Sequence, residues 1–166
     1  MERVTETHVF FWGGELSNWF WSKFKYKDIT FDNTEQAFMW EKANVFCDKE
    51  TADKILRTPN PKENKKLGRQ VTGFNTEEWI MYSYIFMVAV NYCKYSQNPE
   101  LKEILLSTGD KTLVEASPVD KIWGIGIHWR DDDCLDETKW QGMNLLGKAL
   151  MHVRDELKAE ENEKDN

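Results

Sequence analysis

The sequence predicts a single, mainly helical α+β domain with a small antiparallel sheet packed on helices. Three observations carry that prediction. Apolar residues recur at helical spacing in long stretches, above all over Thr76–Tyr95 and Gly142–Leu157. Period-two patterning is confined to short segments. The strands do not alternate with helices as a doubly wound sheet requires.

Each element has a local reason. His8–Trp12 is a short apolar strand, broken by Gly13-Gly14. Phe20–Phe31 alternates aromatic and polar residues around Lys27-Asp28, a β-hairpin pattern. Asp32 or Asn33 caps a helix that runs to about Phe46, with Glu35 or Gln36 completing a capping box. A second helix covers about Lys49–Arg57 and stops before Pro59. Asn60-Pro61 is a cap followed by a first-turn proline, opening a short helix through Leu67. From Thr76 to about Tyr95, Ile80, Tyr84, Met87, Val88 and Cys93 mark one long helix. Asn98-Pro99 opens the next, ended near Gly109, and Lys111–Glu115 reads as a strand. Pro118–Arg130 is a Gly- and Trp-containing loop or strand region. The last helix, about Gly142–Leu157, turns Leu145, Leu146, Ala149, Leu150 and Val153 inward. The organisation expected is one domain over residues 1–158 and an acidic, disordered tail over 159–166.

Composition narrows the function. The chain has 166 residues, 40% hydrophobic and 13% aromatic, with eight Trp. Most of those Trp are expected in the core, the rest as stacking surfaces for flat rings. The net charge is −7. Residues 1–130 carry 17 basic and 18 acidic side chains, whereas 131–166 carry 5 and 11, so the acidity is local to Asp131–Glu137 and the end of the chain. No basic stripe of a dedicated duplex binder is present, so contact with nucleic acid would be local, at an end or a modified base. Cys47, Cys93 and Cys134 fit no CxxC motif, and His8, His128 and His152 are scattered. The reading is therefore no metal, no cofactor and free thiols in a reducing compartment. With no signal peptide and no membrane-length apolar run, the protein is expected to be soluble and intracellular, cytoplasmic or nuclear, and a monomer.

The residues that could carry chemistry form a short series. Glu35 lies in the first turn of its helix, where the N-terminal dipole favours a carboxylate. Lys42 is two turns on along nearly the same face, about 10 Å by helix rise, so both side chains can converge on one ligand. Leu67-Gly68-Arg69 offers a glycine for close approach and a forked donor for phosphate. Trp79 can pack or present a face to a base. Glu115 and Asp120 supply further acids, near Trp123, Gly124 and Gly126. Gly142-Met143-Asn144-Leu145-Leu146-Gly147 places two glycines at a helix start, which calls for tight packing or a ligand-facing end. The set suits a phosphorylated, ring-bearing ligand.

These residues, with Leu16-Ser17-Asn18-Trp19-Phe20, Thr34-Glu35-Gln36-Ala37-Phe38 and Leu113-Val114-Glu115, resemble the NADAR or YbiA-like family in order and spacing over about residues 9–157. Two features depart from the family pattern: Gln36, where bacterial riboflavin-pathway members carry His, and the acidic insert Asp131–Glu137. The resemblance implies an N-glycosidase that cleaves an exocyclic base amine from C1 of a phosphorylated ribose, by way of an oxocarbenium-like state. It implies Glu35, Lys42 and Asp120 as catalytic residues, with Glu115 in reserve. Asn18, Phe20, Arg69, Trp79, Glu115, Trp123, Gly124 and Asn144 would hold the substrate. Two substrates fit: ADP-ribose on guanine in DNA or RNA, which the reading prefers, and the ribosylamino-pyrimidine phosphates of riboflavin synthesis. A non-catalytic ADP-ribose or NAD reader is the alternative of another class, and a structural interaction module a further one. The enzyme reading requires that Glu35 and Lys42 meet at one sugar.

Overall fold

The computed structural model describes residues 3–164. It is α+β and mainly helical, as the sequence predicts. The chain forms two compact units: Asn18–Asn98, and the flanking segments up to Ser17 and from Pro99 onward.

Strands β1 (Arg3–Val4) and β2 (His8–Phe11) come first in the chain, and the first unit begins with a hairpin of β3 (Phe24–Tyr26) and β4 (Ile29–Phe31). Lys27 and Asp28 both take positive φ, the backbone of a tight two-residue turn whose twist matches that of the strands. Phe24 lies opposite Phe31, and their rings meet beneath the sheet at 6.2 Å. Helix α1 (Thr34–Val45) follows at once. Asn33, not Asp32, is its cap: the Asn33 side chain accepts from Gln36 N at 2.9 Å, and Gln36 Oε1 accepts from Asp32 N at 2.8 Å. Helices α2 (Lys49–Leu56) and α3 (Pro61–Gly68) pack on α1, capped by Asp48 and Asn60. Helix α4 (Thr76–Gln97), capped by Asn75, packs on α1 and on β3.

Helix α4 departs from its sequence reading. Ile80 is exposed, with Met81 and Ile85, while the buried positions are Ser83, Met87, Val90, Asn91, Lys94 and Tyr95. The helix therefore turns several polar groups inward and several apolar ones outward. The tryptophans also depart: Trp12, Trp19 and Trp21 are exposed and the other five are partly exposed, so the core is built from Phe, Tyr, Leu, Ile and Val. The indole width and its N–H make complete burial harder to satisfy than for Phe.

In the second unit β2 is central. It pairs antiparallel with β1 and parallel with β5 (Thr112–Glu115), so this sheet is mixed, and the antiparallel hairpin is a separate two-stranded sheet. Phe10, Val114, Ala116, Ile125, Ile127 and Cys134 form a fully apolar cluster against it. Helices α5 (Pro99–Ser107) and α6 (Leu145–Lys164) pack together, and α6 covers β5. The acidic insert folds into two short 3-10 turns, Asp132–Leu135 and Glu137–Lys139. Arg3 holds Asp132 at 2.9 Å, and His8 Nε2 lies 2.9 Å from Glu137. Helix α6 starts at Leu145 rather than Gly142, because Asn144 takes a positive φ of 53°. It continues through Lys164, past the end of the apolar pattern at Leu157. Of the expected acidic tail, Asp165 and Asn166 lie outside the described residues.

Candidate active site

Three predicted residues, Glu35, Lys42 and Arg69, belong to the first unit. Glu35, 7% exposed, sits in the first turn of α1, and its N–H donates to Asn18 O at 3.1 Å. Lys42 is partly buried two turns on. Burial pushes its ammonium pKa down; the Glu35 carboxylate opposes that shift, and the Arg69 guanidinium adds to it. Lys42 Nζ also lies 4.4 Å from the centre of the Phe74 ring, close enough for a cation–π contact.

Arg69 reaches this place because α3 ends against α1. Gly68 is buried, and a Cβ there would run into the Met39 side chain. The glycine lets the helix end settle on α1 with the exposed Arg69 just beyond it. Trp79 is partly buried against Phe38, ring centres 5.1 Å apart, with Phe86 at 6.3 Å. One side of the indole is therefore occupied by protein.

Asn18 and Phe20 belong to a buried polar patch that the sequence reading did not assemble. Asn18 Oδ1 accepts from Asn91 Nδ2 at 3.3 Å, and both amides lie 3.3 Å from the Met87 sulfur. Lys94 is fully buried, its Nζ 5.7 Å from the Phe20 ring centre and 4.8 Å from that of Tyr95. A completely buried lysine is rare in a folded protein unless its charge is balanced or it is used. The signal was present in α4: Ser83, Asn91 and Lys94 share one face at helical spacing, a polar stripe interrupted only by Met87 in an otherwise apolar helix.

The remaining candidates lie in the second unit, where most of them organise backbone. Asn144 is 2% exposed; its side chain accepts from Glu115 N at 3.0 Å and donates to Leu113 O at 2.9 Å. It fastens β5 and so sets the position of the buried Glu115. Asp120 Oδ1 accepts from Ile122 N at 2.9 Å and Trp123 N at 2.8 Å, which folds the loop that carries the partly buried Trp123. Gly124 has no room for a Cβ, because Glu115 O and Asp120 O approach it closely. The protein's own backbone is therefore enough to require glycine here. Gln36, the position that departs from the family pattern, is likewise internal: its Nε2 donates to Ile55 O at 3.1 Å and Thr58 O at 3.2 Å.

Among the described residues no three His, Cys, Asp or Glu side chains gather as metal ligands. No helix among the described residues is long and apolar enough to cross a membrane.

A small α+β protein with a carboxylate and a partly buried amine on one helix is the class that the fold defines. The chain belongs to the NADAR family, whose domain profile matches residues 10–158. It is 39% identical to N-glycosidase R617 of Acanthamoeba polyphaga mimivirus, over 92% of this chain and 97% of that one. It is 41% identical to Protein irg-1 of Caenorhabditis elegans, over 86% of this chain and 68% of that one. The solved structure of Escherichia coli YbiA superposes with a TM-score of 0.79 at 26% identity, covering 97% of this chain and 90% of that one. A more distant relative, at 33% identity over 72% of this chain and 20% of its own length, is named riboflavin biosynthesis protein PYRR of Arabidopsis thaliana.

Proposed function

We propose that this protein is an N-glycosidase that removes ADP-ribose from the exocyclic amine of guanine in nucleic acid. What supports the reading is Glu35 in the first turn of α1, Lys42 partly buried two turns along the same helix, and Arg69 at the end of α3, which packs on α1. Relatives named N-glycosidases support the reaction class.

The chemistry follows from these groups. A ribosylamine opens to an imine at C1, unlike an O-glycoside. The Lys42 amine, made less basic by burial, adds to that carbon. The base amine then departs with a proton, leaving a Schiff base between Lys42 and the sugar. Water adds to that carbon, and collapse returns the free amine and the sugar. Glu35 stabilises positive charge at C1 as it develops. Arg69 holds a phosphate as a forked donor, and the open side of Trp79 stacks on a ring.

Borohydride reduction during turnover tests the covalent step: a mass gain on Lys42 is expected, and turnover without a trapped adduct overturns it. Glu35→Ala should lower turnover by ~10² or more. Full activity would remove Glu35 from the mechanism.

A second reading keeps the same reacting bond and takes ribosylamino-pyrimidine phosphates as substrates. The riboflavin-pathway names among the relatives favour it. Incubation with each substrate, following base release, separates the two.

A further inference from the structure

We infer that the outer face of the β3–β4 hairpin is a track for single-stranded nucleic acid beside the reacting nucleotide, an inference that rests on the proposed reading for its substrate. Residues 21–27 alternate without a break: Trp21, Lys23, Lys25 and Lys27 are exposed, and Ser22, Phe24 and Tyr26 are buried. The ladder continues beyond the hairpin strands, since Ser22 N donates to Asp32 O at 2.9 Å. Trp21, Lys23 and Lys25 therefore stand in one row, each about 7 Å from the next by the two-residue repeat of a strand. That separation is close to the step between neighbouring phosphates in an extended strand, and an exposed indole beside lysines is the combination that holds single strands without reading sequence.

The row is rigidly backed. Gln97 at the end of α4 accepts from Lys25 N and donates to Lys25 O, both at 2.7 Å. Asn98 Nδ2 donates to Lys23 O at 3.1 Å. The free edge of β3 is thus paired by side chains, and the lysines project from a fixed backbone. Trp21 is 58% exposed. Lys23 faces Asp32 at 3.8 Å, an exposed pair that a phosphate can displace. Lys25 has no carboxylate partner among the described residues. Lys27 turns aside to the buried Glu41 at 2.6 Å and closes the row. Opposite Lys25, the exposed Thr30 adds a hydroxyl.

Charge and chain continuity favour this face. Residues 18–98 carry 12 basic and 10 acidic side chains, and the rest of the chain 10 and 19, so phosphate is repelled least here. The backbone of Asn18 is bonded to that of Glu35. Trp21 follows three residues later, within about 10 Å of chain. A strand lying on Trp21, Lys23 and Lys25 therefore leads toward the carboxylate of the candidate site.

The test uses the full chain, K23E/K25E and W21A. Anisotropy of a labelled, unmodified oligothymidine is measured from 50 to 200 mM salt. Two phosphate contacts predict a slope near −1.4, about a sevenfold loss over that range. K23E/K25E should abolish the salt dependence, and W21A should weaken binding about tenfold with the slope kept. In turnover, K23E/K25E should raise KM at least tenfold for ADP-ribosylated guanine in an oligonucleotide and leave ADP-ribosylated guanosine unchanged. Unaltered binding and KM in these variants would overturn the track while leaving the glycosidase standing. Equal binding of poly-glutamate, indifferent to W21A, would overturn it as a nucleic-acid surface. If the wild type hydrolyses neither substrate, the glycosidase reading fails, and the anisotropy alone decides the track.

Discussion

Gln36→Leu separates a folding role from a substrate role at the position that departs from the family pattern. The native side chain is 1% exposed. Leucine nearly keeps its volume and removes the side chain's hydrogen bonds, the three shortest being from Asp32 N at 2.8 Å, to Ile55 O at 3.1 Å and to Thr58 O at 3.2 Å. Two of those partners keep another bond, Ile55 O from Thr58 N and Thr58 O from Asn64 Nδ2. Their loss should cost about 1 kcal/mol each, whereas the Asp32 N–H loses its partner at a partly buried site and adds about another 1 kcal/mol. The expected total is about 3 kcal/mol. With a urea m-value of about 2 kcal/mol/M, the midpoint should fall by about 1.5 M with the slope unchanged. Activity per folded molecule should stay within about twofold. A midpoint that barely moves, or a tenfold loss of kcat/KM in a protein that remains folded, would refute the argument and return Gln36 to the substrate site.

Other predictions concern charge. If neutral Lys42 is the reacting form, kcat/KM rises with pH and levels off above its pKa; Arg69→Met removes a positive neighbour and should move that limb to higher pH, while Glu35→Gln should move it lower. Shifts of the same sign in a pH–rate series would rule out this electrostatic triad. Asp120→Asn keeps a carbonyl to accept from Ile122 N and Trp123 N; full turnover would assign Asp120 to the loop alone, and a large loss with unchanged urea stability would make it the acid–base group. Bonds from Thr72 N and Thr51 N hold the Asp48 carboxyl at about 2, below its ordinary 3.8. Its contribution to stability is present above the ordinary value and lost as pH falls toward 2. Asp48→Asn should flatten that part of an acid-denaturation curve followed by circular dichroism.

Much of this was legible in the sequence because it depends on local chemistry. Asn33, offered beside Asp32, and Asn60 each announce a helix by offering an acceptor to orphan N–H groups, and the structure uses both. Glu35 and Lys42 share a helix, so helical rise alone could place them. Arg69 needed only the glycine before it to suggest a close helix end. What was not legible depends on contacts distant in the chain. The backbone-holding roles of Asn144 and Gly124 show only once β5 and the Asp120 loop stand beside them. The parallel pairing of β2 with β5 joins segments about a hundred residues apart and leaves no local mark. Lys94 was passed over because apolar periodicity draws attention to Ile80 and Val88, not to the polar stripe that the helix buries.

The inverted face of α4 sets stability against chemistry. Filling Ser83 or Asn91 with aliphatic groups is the kind of change that strengthens a fold, and here it would dismantle the setting of Asn18 and Lys94. Charged replacements at Ile80, Met81 and Ile85 should instead be nearly free, improving solubility without touching the interior. Engineering this protein for robustness should therefore begin from its greasy exterior and leave its wet-looking interior alone.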